Sequence, residues 1–223
     1  MKPLILASGS PRRAKILRDL GVDFEIVKTE AAEVSIPHDP VRTVTENACA
    51  KLRAAADAVA TSCDPPEEGG RAPRARRPIL AADTIVWFDN RIYGKPRDLD
   101  EAKEFLRELS GQTHVVFTGV AFRAADGTER TACVESHVTF RALTEEMIEE
   151  YVARVHPTDR AGAYDIDESG DLIVASYTGS YENIMGLPVE PHAPSALSND
   201  EVCGTLSRVG FILGNSERTR PCR

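Results

Sequence analysis

The chain has no apolar run long enough to cross a bilayer; its longest, such as Pro78-Ile79-Leu80-Ala81-Ala82, are only a few residues. Its N-terminus also lacks the longer apolar stretch of a secretory signal, so the sequence predicts a cytoplasmic protein without a membrane partner. Patterned cysteine is missing too. Cys49, Cys63, Cys133, Cys203 and Cys222 are odd in number, scattered and free of any C-x-x-C pair, which argues against a disulfide framework or zinc cluster and predicts reduced thiols. Positive charge is in deficit. A net charge of −8 is a poor match for a nucleic-acid backbone, so no nucleic-acid polymer is expected as partner and any phosphate binding must be local. The five histidines show no H-E-x-x-H spacing, and the serines lack a G-x-S-x-G context. There is no G-x-x-x-x-G-K-[ST] loop, which counts against a standard ATPase or kinase. No internal repeat stands out.

What is present suits one substantial core or two lobes sharing a cleft: 223 residues, 42% hydrophobic and 28% charged. Residues 3–7 read as a buried strand, 11–20 as a helix closed by Gly21, and Phe24 with Ile26 as a second strand. Val41, Val44, Ala48, Leu52 and Ala55 recur at helical spacing, predicting a long helix after a cap at Asp39 and on toward Thr61. The Pro-, Gly- and charge-rich stretch 62–77 reads as a surface loop. Pro78 to Ala82 reads as a buried strand ending at Asp83-Thr84, followed by a hairpin of Ile85–Phe88 and Arg91–Tyr93. Asp98 caps a predicted helix from Leu99 to Leu109, strands follow at Thr113–Arg123 and Thr128–Arg141, and Thr144 caps a helix to about Arg154. A loop at 159–170, a strand at Leu172–Ser176 and a last helix from Asn199 to Arg208 complete the reading. Helices interleaved with strands, plus one long antiparallel pair, indicate a mixed α/β sheet.

The chemistry-bearing residues begin with Ala7-Ser8-Gly9-Ser10-Pro11-Arg12-Arg13, where a strand feeds a small-residue turn and a helix start. Ser10 suits the cap, Pro11 the first helical position, and the free N–H groups with two guanidinium forks suit phosphate; an ordinary capped helix is the alternative. Asp83 directly follows an apolar strand, where it would orient a metal, take a proton from water or simply cap a turn. Lys95 in Gly94-Lys95-Pro96 and Lys51, five residues after Glu46, are either aimed cations or solvated ones. Glu33, in a polar loop, has the donor type for Mg²⁺ or Mn²⁺.

Taken in register, ASGSPRR at 7–13, ENACAK at 46–51, AADT at 81–84, GKP at 94–96, LSGQTHVVFTGV at 109–120, DRAGAYDI at 159–166 and GSYENIMGLP at 179–188 resemble the Maf family of nucleoside triphosphate pyrophosphatases. The resemblance runs from residue 4 to about 190. It implies a mixed, twisted α/β sheet with flanking helices and two lobes around a cleft, similar to inosine triphosphate pyrophosphatases. It sets a domain at 1–190 and explains neither the insertion at 62–77 nor the extension at 191–223 that carries the expected short helix. The implied reaction is metal-dependent hydrolysis of a nucleoside triphosphate to the monophosphate and pyrophosphate. By the same resemblance Asp83 is the proton acceptor. Ser8, Ser10, Arg12, Arg13, Lys51 and Lys95 line the triphosphate site, and Glu33 joins Asp83 at the metal. Arg12 and Thr84 resemble the branch acting on dTTP and UTP rather than the one acting on 7-methyl-GTP. That branch usually reads GAYGIQG where this chain has Gly162-Ala163-Tyr164-Asp165-Ile166-Asp167-Glu168, so Asp167 replaces an expected glutamine and puts base choice in question. A homodimer is compatible with the resemblance. The family is also associated with arrest of septum formation, leaving a nucleotide-sensing regulator as a reading from another class.

Overall fold

Strand β1 (Leu4–Ala7) is buried at all four residues, as an unbroken apolar run requires, and passes through the turn at 8–10 into α1 (Pro11–Asp19). The computed structural model describes residues 3–61 and 77–189. Within them follow β2 (Phe24–Ile26), α2 (Pro40–Thr61), β3 (Ile79–Phe88), β4 (Arg91–Tyr93), α3 (Leu99–Leu109) and β5 (Thr113–Arg123). Next come β6 (Glu129–Phe140), α4 (Glu145–Val155), the one-turn α5 (Gly170–Ile173), β7 (Val174–Thr178) and the one-turn α6 (Tyr181–Ile184). The readings of the loop at 62–77, apart from its last residue, and of the extension at 191–223 lie outside the described residues.

The strands form one mixed sheet in the order β2-β1-β3-β5-β6-β7, with β4 also on β3. β1 runs parallel to β2 and β3, and the remaining pairs are antiparallel. Side chains alternate across the pleat of β3. Ile79 and Ala81 pack with Ala48, Leu52 and Ala55 of α2, and Ile85 with Val44 of the same helix. On the opposite face the apolar side chains gather in two groups. Leu80 and Ala82 join Ile16 and Leu17 of α1 with Met185 and Leu187, while Val86 joins Phe105 and Leu106 of α3 with Ile148 and Val152 of α4.

One edge of β3 is divided between two partners. β1 pairs with Ile79 to Ala81 and β4 with Val86 to Phe88, whereas β5 follows the other edge from Ile79 to Trp87. Residues 82–85 therefore have no strand neighbour on the divided edge among the described residues. Here the structure corrects the sequence reading of Asp83: it does not follow the strand but lies inside it, paired with Gly119. A polar pair inside an apolar run reads as a break, yet Asp83 is compensated by partners on α2 and Thr84 by Arg13 of α1 and Thr118 of β5.

Two further readings are corrected. The strand expected at Leu172–Ser176 starts at Val174, because Gly170–Ile173 close a helical turn, and β7 is an edge strand whose residues are mostly exposed and carry little apolar signal. Cys49, buried on α2, is disulfide-bonded, while Cys133 on β6 is free. Reading all five thiols as reduced fails at Cys49, since separation along the chain does not limit which sulfurs a fold brings within bonding range.

Candidate active site

The site begins with a close approach of helix to sheet. A Cβ built on Gly119 would lie 2.4 Å from the Val44 carbonyl oxygen, so α2 crosses β5 at a distance only glycine permits. The neighbouring strand residue is Asp83, and the approach brings Asn47 and Lys51, one helical turn apart, onto its carboxylate. Asn47 donates from Nδ2 to Oδ2 at 2.9 Å and Lys51 from Nζ to Oδ1 at 2.6 Å. Lys51 Nζ also lies 2.7 Å from Glu33 Oε1, so one ammonium links two carboxylates. Asn47 fixes the loop that carries Glu33: its Oδ1 accepts from the Val34 N–H at 2.7 Å, and its Nδ2 donates to the Val34 carbonyl at 3.0 Å. Gly119→Ala is expected to destabilise the fold by about 1–3 kcal/mol through overpacking against the Val44 backbone. Urea titration measures this, and an unchanged midpoint would show that α2 yields without cost.

Thr84, the next residue, faces the opposite side of the sheet. There Arg13 is buried and held at three points. It donates from Nε to the Gly186 carbonyl at 2.7 Å, from Nη1 to Ser8 Oγ at 3.1 Å and from Nη2 to Thr84 Oγ1 at 2.9 Å. The chain of bonds continues: the Thr84 and Thr118 hydroxyls are 3.0 Å apart, and Thr118 donates to the Asn183 carbonyl at 3.1 Å. Asn183 Nδ2 in turn donates to Ser136 Oγ at 2.9 Å. Burial lowers the Arg13 pKa to about 10, with Asp83 acting in the other direction, and the group stays cationic at neutral pH.

Arg12 takes a different course. Its side chain is 24% exposed and donates from Nη1 to Asp165 Oδ2 at 3.0 Å. Burial pushes the Asp165 carboxyl up, but bonds from Arg160 and the charge of Arg12 outweigh this and hold it below the usual carboxylate value. Ser10 stands at the cap position of α1 without the expected capping bond; instead its N–H donates to Ser8 Oγ at 3.2 Å. Its hydroxyl therefore does not occupy the first-turn N–H groups, which suits an external anion.

The structure thus unites Asp83, Lys51 and Glu33 in one cluster and Ser8, Arg13 and Thr84 in another. Asp167 is exposed and accepts from the Tyr181 hydroxyl at 3.1 Å, with Lys15 Nζ 3.9 Å away. Lys95 is exposed and joined to neither cluster by a bond among the described residues, although Gly94 accepts from the Gly162 N–H at 3.1 Å and so ties its loop to the 160s. Glu46 pairs with Arg42 at 2.6 Å and not with Lys51. The sequence reading missed Asn47 and Asp165. Asn47 had a usable signal, its four-residue spacing from Lys51 on the same helix; Asp165 had none, because its partner Arg12 is 153 positions away.

Together these features define a class: an α/β protein whose sheet, opened along one edge, sets a buried carboxylate beside a lysine and an asparagine on one face and holds a buried arginine on the other. The chain belongs to the Maf family, since the family pattern described as Maf-like protein matches residues 3–194. Among its relatives are proteins named dTTP/UTP pyrophosphatase from Bacillus. The one from Bacillus cytotoxicus is 41% identical over 190 residues, covering 85% of this chain and 91% of the relative. The one from Bacillus cereus strain ATCC 10987 is 42% identical, covering 85% and 86%. A solved nucleoside-triphosphatase / dITP/XTP pyrophosphatase from Mycobacterium abscessus is 15% identical, with a TM-score of 0.35 over 61% of this chain and 72% of that one.

Proposed function

We propose that residues 1–190 form an enzyme that hydrolyses dTTP and UTP to the monophosphate and pyrophosphate. The observation that carries this reading is the Asp83–Lys51–Glu33 cluster beside the open edge of β3. The names of the Bacillus relatives support the choice of nucleotide. Arg12, Lys51, Lys95 and the first-turn N–H groups of α1 bind the phosphate oxygens, while Ser8, Ser10, Arg13 and Thr84 shape the wall behind them. Water attacks the α-phosphorus, Asp83 accepts its proton, and the bond to the bridging oxygen breaks as pyrophosphate leaves. Positive charge held in place before the reaction stabilises the leaving group without reorganisation.

Two hard carboxylates converging on a single cation suit Mg²⁺ or Mn²⁺, which commonly takes one or two carboxylates together with substrate phosphates. Glu33 and Asp83 would hold the ion, and Lys51 would turn to the phosphates. The ion would supply charge neutralisation of the phosphate oxygens. No helix among the described residues is long and apolar enough to cross a membrane. A cytoplasmic location is part of the proposal, because that is where the nucleotide pool lies.

Asp167 is assigned to the base. A carboxylate only accepts hydrogen bonds whereas glutamine also donates, so Asp167→Gln should sharpen the preference for dTTP and UTP. The test is a panel of dTTP, UTP, CTP, GTP and 7-methyl-GTP with Mg²⁺ or Mn²⁺, quantifying products. Equimolar monophosphate and pyrophosphate from dTTP and UTP support the reading. A diphosphate with inorganic phosphate, or no turnover, rejects it.

A further inference from the structure

Of the two adjacent arginines, Arg13 is committed to three protein acceptors, whereas Arg12 makes one bond among the described residues and keeps its other donors. What holds Arg12 is a carboxylate that is itself fixed from every side. The Asp165 side chain is 5% exposed, and its Oδ2 accepts from Arg12 and, at 2.9 Å, from Arg160 Nε. Its Oδ1 accepts from the Asp167 N–H at 2.9 Å. Its backbone is clamped by the buried Tyr151, whose hydroxyl accepts from the Asp165 N–H at 2.8 Å and donates to its carbonyl at 3.3 Å. Arg160 is anchored in turn by Val155, Asp159 and Glu168.

We propose that Asp165 is a positioning residue for substrate: it orients Arg12 toward the phosphates and so sets nucleotide affinity. This rests on the reading of Arg12 as a phosphate contact. A free arginine loses rotamer entropy when it closes on a ligand, and Asp165 makes that loss part of folding instead. Its two oxygens are spent on Arg12, Arg160 and the Asp167 N–H, so it orients Arg12 without presenting a free acceptor to the triphosphate. The single bond leaves the rest of the Arg12 fork for bidentate contact.

With the full chain, Asp165→Asn is expected to raise KM for dTTP roughly tenfold, the weight of one charge-assisted bond, with kcat changed less than about threefold. Asp165→Glu, which keeps the charge, should recover part of the loss. Arg160→Lys, which removes the Nε anchor, should give the same direction and serves if Asp165→Asn does not fold. Arg12→Ala and the double variant with Asp165→Asn should have nearly equal KM, because one residue acts through the other. Additive effects, an unmoved KM, or a loss confined to kcat overturns the proposal, as does a lowered Tm with KM unchanged. Calorimetric binding of inorganic tripolyphosphate separates this inference from the assigned reaction. If the unmodified chain binds it and Asp165→Asn binds roughly tenfold more weakly while neither dTTP nor UTP turns over, the pyrophosphatase reading fails and the positioning role stands. Equal affinity in both proteins, or no binding in either, removes the positioning role.

Discussion

Asp83→Asn is expected to lower kcat for dTTP by roughly 10²–10⁴-fold, the usual weight of a positioned general base, while nucleotide binding survives. An amide cannot take the proton of the attacking water at neutral pH, and it removes one negative charge from the neighbourhood of a polyanion. Measured without the divalent ion that Asp83 is proposed to share with Glu33, the Kd for dTTP should therefore hold or tighten. The substitution also carries a structural cost. Asp83 Oδ1 receives Lys51 and Oδ2 receives Asn47, so one of these two donors would meet the new amide NH₂ instead of an acceptor. A modest fall in Tm is expected with the fold intact, and turnover must be scored per folded molecule. Activity within tenfold of the unmodified protein would remove Asp83 from the chemistry, and loss of nucleotide binding in a folded variant would make it a scaffold for Lys51 and Glu33.

The second large effect is on stability at acid pH. His114 on β5 is fully buried; its Nε2 lies 3.0 Å from the Tyr164 hydroxyl, and its Nδ1 has no hydrogen-bond partner among the described residues. Its ring meets Phe140 and Tyr164 edge-on at 4.8 and 5.3 Å. Burial lowers its pKa from 6.5 to about 3. The unfolded chain thus takes up this proton near pH 6.5 and the folded chain refuses it until about pH 3. Since the unfolded state binds more protons in that window, stability is complete above it and declines as pH falls, by about 1.4 kcal/mol per pH unit for this one group. The whole window amounts to something on the order of 4–5 kcal/mol. His114→Phe keeps an aromatic ring among aromatic rings and removes the titration, at about 1 kcal/mol for the unpaired Tyr164 hydroxyl. Urea-derived stabilities of the two proteins should cross within about one pH unit below 6.5 and leave His114→Phe the more stable by about 2 kcal/mol at pH 4; parallel curves would assign the acid sensitivity to carboxylates instead.

Local signals carried much of the fold. Helix α2 occupies the span that its apolar spacing predicts after Pro40, and Asp98 and Thr144 cap α3 and α4 by accepting from Glu101 and Met147. Each depends on residues a few positions apart. Asp83 was harder to place, because whether an acid may sit inside a strand is decided by Asn47 and Lys51, far back in the chain. The site was legible as a set of residue types and not as an arrangement. Nothing in Pro11-Arg12-Arg13 says that the second arginine is spent on Ser8, Thr84 and Gly186 while the first keeps free donors. That division follows from which face of α1 meets the sheet, a property of tertiary packing.

Consecutive residues of β3 serve opposite sides of one sheet, and this bears on folding fidelity as well as on chemistry. A slip of one position between β3 and β5 would turn Asp83 toward Arg13 and Thr84 toward Lys51, and would move Gly119 from beneath α2. The misaligned chain would bury an acid without its amide and ammonium, and would strike the helix with a side chain. The residues proposed to perform the reaction thus also penalise incorrect strand alignment, so a molecule that has assembled its hairpins out of step is excluded from the native state by the same groups it would need to function.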